Sequence, residues 1–144
     1  MTTSFDILDR ELRFYIHEKG WPALTEIQNA SIKTFFRTEN NLILSAATAS
    51  GKTEAAFLPA ISKVNNWNKG VKILYVSPLI ALINDQFKRI NDMCFDMNIP
   101  ITSWHREASK AKKDNLIESP RGILLITPES IEALLSGKPE VAKI

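Results

Sequence analysis

The run Ala46-Ala47-Thr48-Ala49-Ser50-Gly51-Lys52-Thr53 has the residue types and spacing to hold a chain of phosphates. Gly51 lets a phosphate approach the backbone. Lys52 sets a cation beside the β- and γ-phosphates, and Thr53 offers a hydroxyl to a magnesium ion. Nucleotide contacts are expected from Thr48, Ala49, Ser50, Gly51, Lys52, Thr53 and Glu54, with Lys52 and Thr53 at the reacting phosphates. Many loops of this kind carry glycine at the positions held here by Ala46 and Ala49. Alanine avoids positive φ, so both are expected in right-handed or extended conformations.

Such a loop works between a strand and a helix, because unpaired N–H groups and the helix dipole at a helix start favour an anion. The apolar residues at 42–45 are expected to form the strand before it, and the spacing of Ala55, Phe57, Leu58 and Ile61 predicts the helix after it. Upstream, Ile7, Leu8, Leu12, Tyr15 and Ile16 predict one helix ending near Gly20. Thr25 and Gln28 have capping-box spacing for a second helix through Phe35. Downstream, residues 71–77 and 121–127 read as strands, the first apolar enough to be buried on both faces. Residues 99–104 read as a weaker strand. Helices are expected over 79–90 and 107–118 and from Pro128 onwards. Strands alternating with helices imply βαβ units and a parallel sheet.

The 144 residues are 44% hydrophobic and 24% charged, in line with one globular domain. A net charge of +2 does not by itself argue for nucleic acid. With Cys94 as the only cysteine, no disulfide within the chain is possible, and its apolar neighbours mark it as core. The start, Met1-Thr2-Thr3-Ser4-Phe5-Asp6, has no basic segment followed by an apolar one, and no apolar run approaches the ~18 residues of a membrane helix. A cytoplasmic protein with no membrane partner is expected.

Three further segments line up in order with one family. Gly20-Trp21-Pro22-Ala23-Leu24-Thr25-Glu26-Ile27-Gln28 resembles the adenine-reading Q motif of superfamily 2 helicases. Ser77-Pro78-Leu79-Ile80-Ala81-Leu82-Ile83-Asn84-Asp85-Gln86 resembles their motif Ia, and Ile126-Thr127-Pro128-Glu129-Ser130 their motif Ib. With the phosphate loop as motif I, the resemblance covers nearly the whole chain. Ala49 and Trp104-His105 look most like the large helicase-related and neighbouring DEAD/DEAH-type groups. The resemblance implies a RecA-like α/β fold, mostly parallel, with a helical Q-motif region over 1–40 and a βαβ core over 41–144. It implies ATP and Mg2+ as cofactors. Gln28, with Thr25, would read the adenine edge, and Phe5 would stack on the base. It further implies that Ser77, Pro78, Leu79, Gln86, Thr127, Pro128 and Glu129 hold the backbone of single-stranded DNA or RNA. Ser-Pro and Thr-Pro as plain helix caps are the alternative. The charged stretch from His105 to Lys113 reads as a solvated face or a phosphate patch.

The family's acidic second motif, an Asp-Glu pair ending an apolar strand, has no counterpart here. The resemblance therefore implies the N-terminal portion of a first motor domain, working with a second RecA-like domain. Such a portion is expected to bind ATP without turning it over. It is also expected either to self-associate through a strand at 42–45 that lacks neighbours or to have a loosened loop with reduced nucleotide affinity. Two other functions stay open: another P-loop NTPase or a kinase, and a non-catalytic nucleotide- or nucleic-acid-binding module.

Overall fold

A computed structural model describes residues 3–139, so Met1, Thr2 and the closing stretch Glu140-Val141-Ala142-Lys143-Ile144 lie outside the described residues. The chain divides into two units, residues 1–65 and 66–144.

The first unit is helical. Four helices run over α1 (Ser4–Ile7), α2 (Arg10–Glu18), α3 (Glu26–Arg37) and α4 (Lys52–Lys63). The single helix expected before Gly20 is two. Asp9 breaks it, because its carboxylate accepts from the Glu11 N–H and starts α2 afresh. The Thr25/Gln28 capping box forms as expected and starts α3. Leu12, Ile32, Leu58 and Ile61 are fully buried, and α3 packs along α4. Truncating a residue of this class to alanine costs about 2–5 kcal/mol.

Pro59 sits inside α4 and is fully buried. Proline has no N–H, so it removes the hydrogen bond that the Ala55 carbonyl four residues earlier would accept. Ser31 on α3 supplies the missing donor: its buried hydroxyl donates to the Ala55 carbonyl. The packed helix pair thus repairs the break that the sequence introduces.

The expected strand at 42–45 is not formed. These residues pair with no other strand, and Ile43 is 95% exposed. Burial alternates along 42–46, as in an extended chain, but a strand exists only through hydrogen bonds to a neighbour.

The second unit is a three-stranded parallel sheet, β1 (Gly70–Val76), β2 (Ile101–Trp104) and β3 (Arg121–Ile126), in the order β1-β3-β2. It carries α5 (Ile80–Met93), α6 (Lys110–Glu118) and α7 (Pro128–Gly137). Central β3 is buried from Gly122 to Ile126. Edge strand β1 is not buried on both faces as its composition suggested: Leu74 is 55% exposed, and Lys72 and Val76 share its face. Gly122 has φ +77°, and a Cβ there would collide with the Pro100 carbonyl, which accepts from the Ile123 N–H at 2.9 Å. Cys94 is buried, as expected, and desolvation pushes its thiol up to about 12. It stays protonated and unreactive at neutral pH.

Ser31→Ala is expected to destabilise the protein by about 1–2 kcal/mol, because it strands the Ala55 carbonyl. In a Pro59→Ala background the N–H of residue 59 can take over, and the cost of Ser31→Ala should shrink. Urea denaturation of the two single variants and the double variant measures this. Equal costs in both backgrounds would remove the repair role of Ser31.

Candidate functional site

The phosphate loop lies in the first unit, between the extended residues at 42–46 and α4. Gly51 is the N-cap of α4 at φ +83°, a left-handed conformation that suits glycine. It is also enclosed: a Cβ there would come within 2.5 Å of Gln28 Nε2 and 3.5 Å of Thr25 Oγ1. Gln28 is 3% exposed, and both ends of its amide are engaged. Its Oε1 accepts from the Thr25 N–H at 2.9 Å, and its Nε2 donates to the Gly51 carbonyl at 3.4 Å. The Thr25 hydroxyl donates to the Ser50 carbonyl at 3.2 Å. The start of α3 thereby braces the loop from one side.

Lys52 braces it from within. Its ammonium donates to the Ala46 carbonyl at 2.6 Å and the Ala47 carbonyl at 2.8 Å. The cation closes the loop on itself, among carbonyl oxygens that a phosphate oxygen can replace. The hydroxyl of Ser50 is buried and has no hydrogen-bond partner. Ala49 departs from expectation with φ +60°. A left-handed alanine costs roughly 1–2 kcal/mol, and the two carbonyls gripped by Lys52 hold the tight turn that requires it.

The second unit has a separate feature. Val76 and Trp104 both pair with Ile126, so the three parallel strands end at one level. One more bond extends each ladder: Ser77 N–H to the Ile126 carbonyl at 3.1 Å, and Thr127 N–H to the Trp104 carbonyl at 3.3 Å. An open groove of about 1180 Å³ lies beyond these strand ends, lined in part by Pro78, Leu79, Thr127, Glu129 and Ser130. Ligands of open α/β sheets bind at such carboxyl ends. The groove also carries Arg106, Lys110, Lys113 and Lys138 against Glu107, Asp114 and Glu129.

Helix starts distinguish these places from the rest of the chain. Side chains of Thr3, Asp9, Thr25 and Ser109 cap α1, α2, α3 and α6. The starts of α4, α5 and α7 have no side-chain cap. Thr127 holds the N-cap position of α7, but its hydroxyl donates to Ser130 Oγ at 2.8 Å. Ser77 is not an N-cap, because α5 starts after Leu79. The plain capping role open to Ser77 and Thr127 is thus not the one their side chains play. The three uncapped starts follow the phosphate loop, the Ser77-Pro78 segment and strand β3.

Comparison with known proteins agrees with this geometry. Residues 25–143 match the DEAD/DEAH box helicase family. The chain belongs to that family. The ATP-dependent helicase Lhr-Core of Methanocaldococcus jannaschii is 30% identical over 151 aligned residues, which take in 92% of this chain and 18% of that protein. The chain thus spans less than a fifth of that relative's length. Among solved structures, the Mycobacterium smegmatis helicase Lhr bound to ssDNA and AMP-PNP matches with a TM-score of 0.78 at 25% identity, covering 93% of this chain and 18% of that one. The RNA helicase Prp28 of Chaetomium thermophilum bound to ADP matches with a TM-score of 0.77 at 24% identity, covering 92% and 33%, a likeness of fold. The parallel sheet and its helices are part of a RecA-like helicase domain.

Not every residue singled out in the helicase motifs reaches the groove or the loop surface. Ser77 and Gln86 are buried and do not line the groove, and Pro128 is exposed beside it. Gln86 lies on the buried face of α5, and its Oε1 has no hydrogen-bond partner. In the first unit, Lys52 and Thr53 form the first residues of α4, Glu54 is buried behind them, and Thr48 is exposed. Phe5 is half-buried in α1. The charged stretch after Trp104 reads in sequence as a solvated face or a phosphate patch, and Arg106, Lys110 and Lys113 line the groove. Their signal was present as a phosphate patch, diluted by Glu107 and Asp114. Trp104 is core, packed with Leu116, Leu124 and Ile126, and does not stand free to stack on a base.

Two substitutions in the loop are expected to act in opposite directions. Gly51→Ala should destabilise the loop and abolish nucleotide binding, because its methyl meets Gln28. Ala49→Gly should be neutral or stabilising by up to ~1 kcal/mol, because it relieves the left-handed alanine. Thermal denaturation with nucleotide titration of both variants checks this. Stabilisation by Gly51→Ala would refute the enclosure of Gly51.

Proposed function

We propose that this chain is the ATP-binding and strand-gripping part of an ATP-dependent nucleic-acid helicase motor. The observation that carries the proposal is the set of uncapped helix starts, at α4, α5 and α7, coinciding with motifs I, Ia and Ib. Free first-turn N–H groups bind phosphate oxygens without reading sequence, which suits both a nucleotide and a nucleic-acid backbone.

The loop residues fit ATP with Mg2+. Gly51 is a cradle that a side chain would fill, Ser50 Oγ is an unpartnered donor, and Lys52 is already turned into the loop. Ser50, Gly51, Lys52 and the α4 N–H groups would hold the phosphates, and Thr53 would hold the metal. The bound metal would neutralise charge on the phosphates. Gln28 would read adenine: a primary amide has two donor hydrogens and two acceptor lone pairs, so each end keeps one valence beyond its present bond. Phe5 would stack on the base. In the groove, Pro78, Leu79, Thr127 and Glu129 would line the path of a single strand, DNA or RNA.

Hydrolysis needs a carboxylate to orient water and cations opposite the γ-phosphate. The chain has no Asp-Glu pair. It would work with a second RecA-like domain, and alone it should bind ATP without turning it over.

Calorimetry with ATP is expected to show Lys52→Ala binding about 1.5–3 kcal/mol weaker than the parent. Equal affinities would sink the loop assignment. The Gln28 reading is checked separately by ATP against GTP, where equal binding would remove it. Phosphate release by the purified chain should stay at background. Robust release abolished by Lys52→Ala would mean that a carboxylate already in this chain orients water.

A further inference from the structure

We propose that His105 is a positioning residue for Arg106, fixing the loop between β2 and α6 so that the guanidinium stands on the groove. This rests on the reading of the groove as a nucleic-acid backbone site.

His105 is 5% exposed at the carboxyl end of β2. Its Nδ1 accepts from the Glu107 N–H at 3.3 Å, and its Nε2 lies 3.2 Å from Asn84 Oδ1 on α5. A ring nitrogen that accepts carries no proton. In this arrangement Nε2 is the nitrogen that donates to the Asn84 oxygen. The His105 carbonyl accepts from the Ala108 N–H at 3.0 Å and closes the turn. One buried ring thus ties the loop to itself and to the helix that carries motif Ia.

The neighbours of His105 show what the tie achieves. Trp104 is fixed in the core, and its carbonyl accepts from the Thr127 N–H at 3.3 Å. Arg106 is different. Its side chain is 85% exposed, it lines the groove, and it pairs with Glu107 at 3.8 Å. An exposed pair at that distance holds a long side chain weakly. The position of the guanidinium is then set by the backbone beneath it, and His105 sets that backbone on both sides: Glu107 through Nδ1 and α5 through Nε2. Asn84 itself lines the groove, so the anchor and the arginine belong to one wall.

The test is the salt dependence of single-stranded oligonucleotide binding by the whole 144-residue chain, followed by fluorescence anisotropy. Each lost backbone contact lowers the slope of log K against log salt by about 0.7 on a single strand. Arg106→Ala should show that drop. His105→Ala should show the same drop and a loss of affinity on the order of 3–10-fold, although it removes no cation. The double variant should bind within about twofold of Arg106→Ala, because both substitutions remove one contact. Asn84→Ala should move the slope in the same direction and decides the matter if His105→Ala does not fold. A merely structural role would lower the active fraction and leave the slope alone. The proposal is overturned if Arg106→Ala lowers the slope while His105→Ala and Asn84→Ala keep the parent's. If Arg106→Ala also keeps the parent's slope, or the parent shows no salt-sensitive binding, the groove reading fails and the positioning role falls with it.

Discussion

The first N–H groups of a helix have no partner within the helix, and something must satisfy them. This constraint runs through the whole chain. Four helices meet it with their own side chains at Thr3, Asp9, Thr25 and Ser109. Three of the described helices, α4, α5 and α7, have no side-chain cap. A cap is worth about 1 kcal/mol, so leaving it out costs stability that a bound anion returns. Sequences that could have placed a capping oxygen do not use it: the Thr127 hydroxyl stands at the N-cap of α7 and turns to Ser130 instead.

The same economy shapes the phosphate loop. Gln28 caps α3 with its Oε1 and holds the Gly51 carbonyl with its Nε2. One side chain therefore links the start of α3 to the start of α4. Any ligand that drew on that amide would also change the support of Gly51, so under the proposed reading base recognition and phosphate grip would be coupled through a single buried residue. Lys52 would add a second coupling, because its ammonium would have to leave two backbone carbonyls to turn to an anion.

Much of this was legible in the sequence, for physical reasons. The Thr25/Gln28 capping box, the helical spacing after Gly51 and the apolar run of β3 are local signals that tertiary structure reinforces, and each is found where expected. Local signals fail where the outcome depends on a distant partner. Residues 42–45 are apolar like a strand, but strand identity is a property of a pair, and no partner strand is present among the described residues. Alanine at 49 argues locally against positive φ, yet loop closure by Lys52 imposes it. β1 reads as buried on both faces because composition records apolarity and not cover. The spacing predicts a helix through Pro59 but not the hydrogen bond lost there, which Ser31, 28 positions away in sequence, makes good. His105 could not be read at all, since its role comes from Asn84 and Glu107 meeting one ring.

The groove's charge pattern constrains how a strand could be held. Arg106, Lys110, Lys113 and Lys138 are offset by Glu107, Asp114 and Glu129, leaving one net positive charge along its wall. A groove that worked by charge alone would be uniformly basic and would bind with a steep salt dependence. This one is not, and Lys113 is partly committed, its ammonium 5.8 Å from the centre of the Trp104 ring. If the groove holds a strand, as proposed, grip would then come chiefly from oriented backbone dipoles at the α5 and α7 starts, which salt screens less when the phosphate sits directly on them. Such dipoles act only if the strand ends that carry them are level. The shared register of Val76, Trp104 and Ile126 supplies that level edge, so the hydrogen-bond pattern of the sheet decides whether the groove can hold a phosphate backbone.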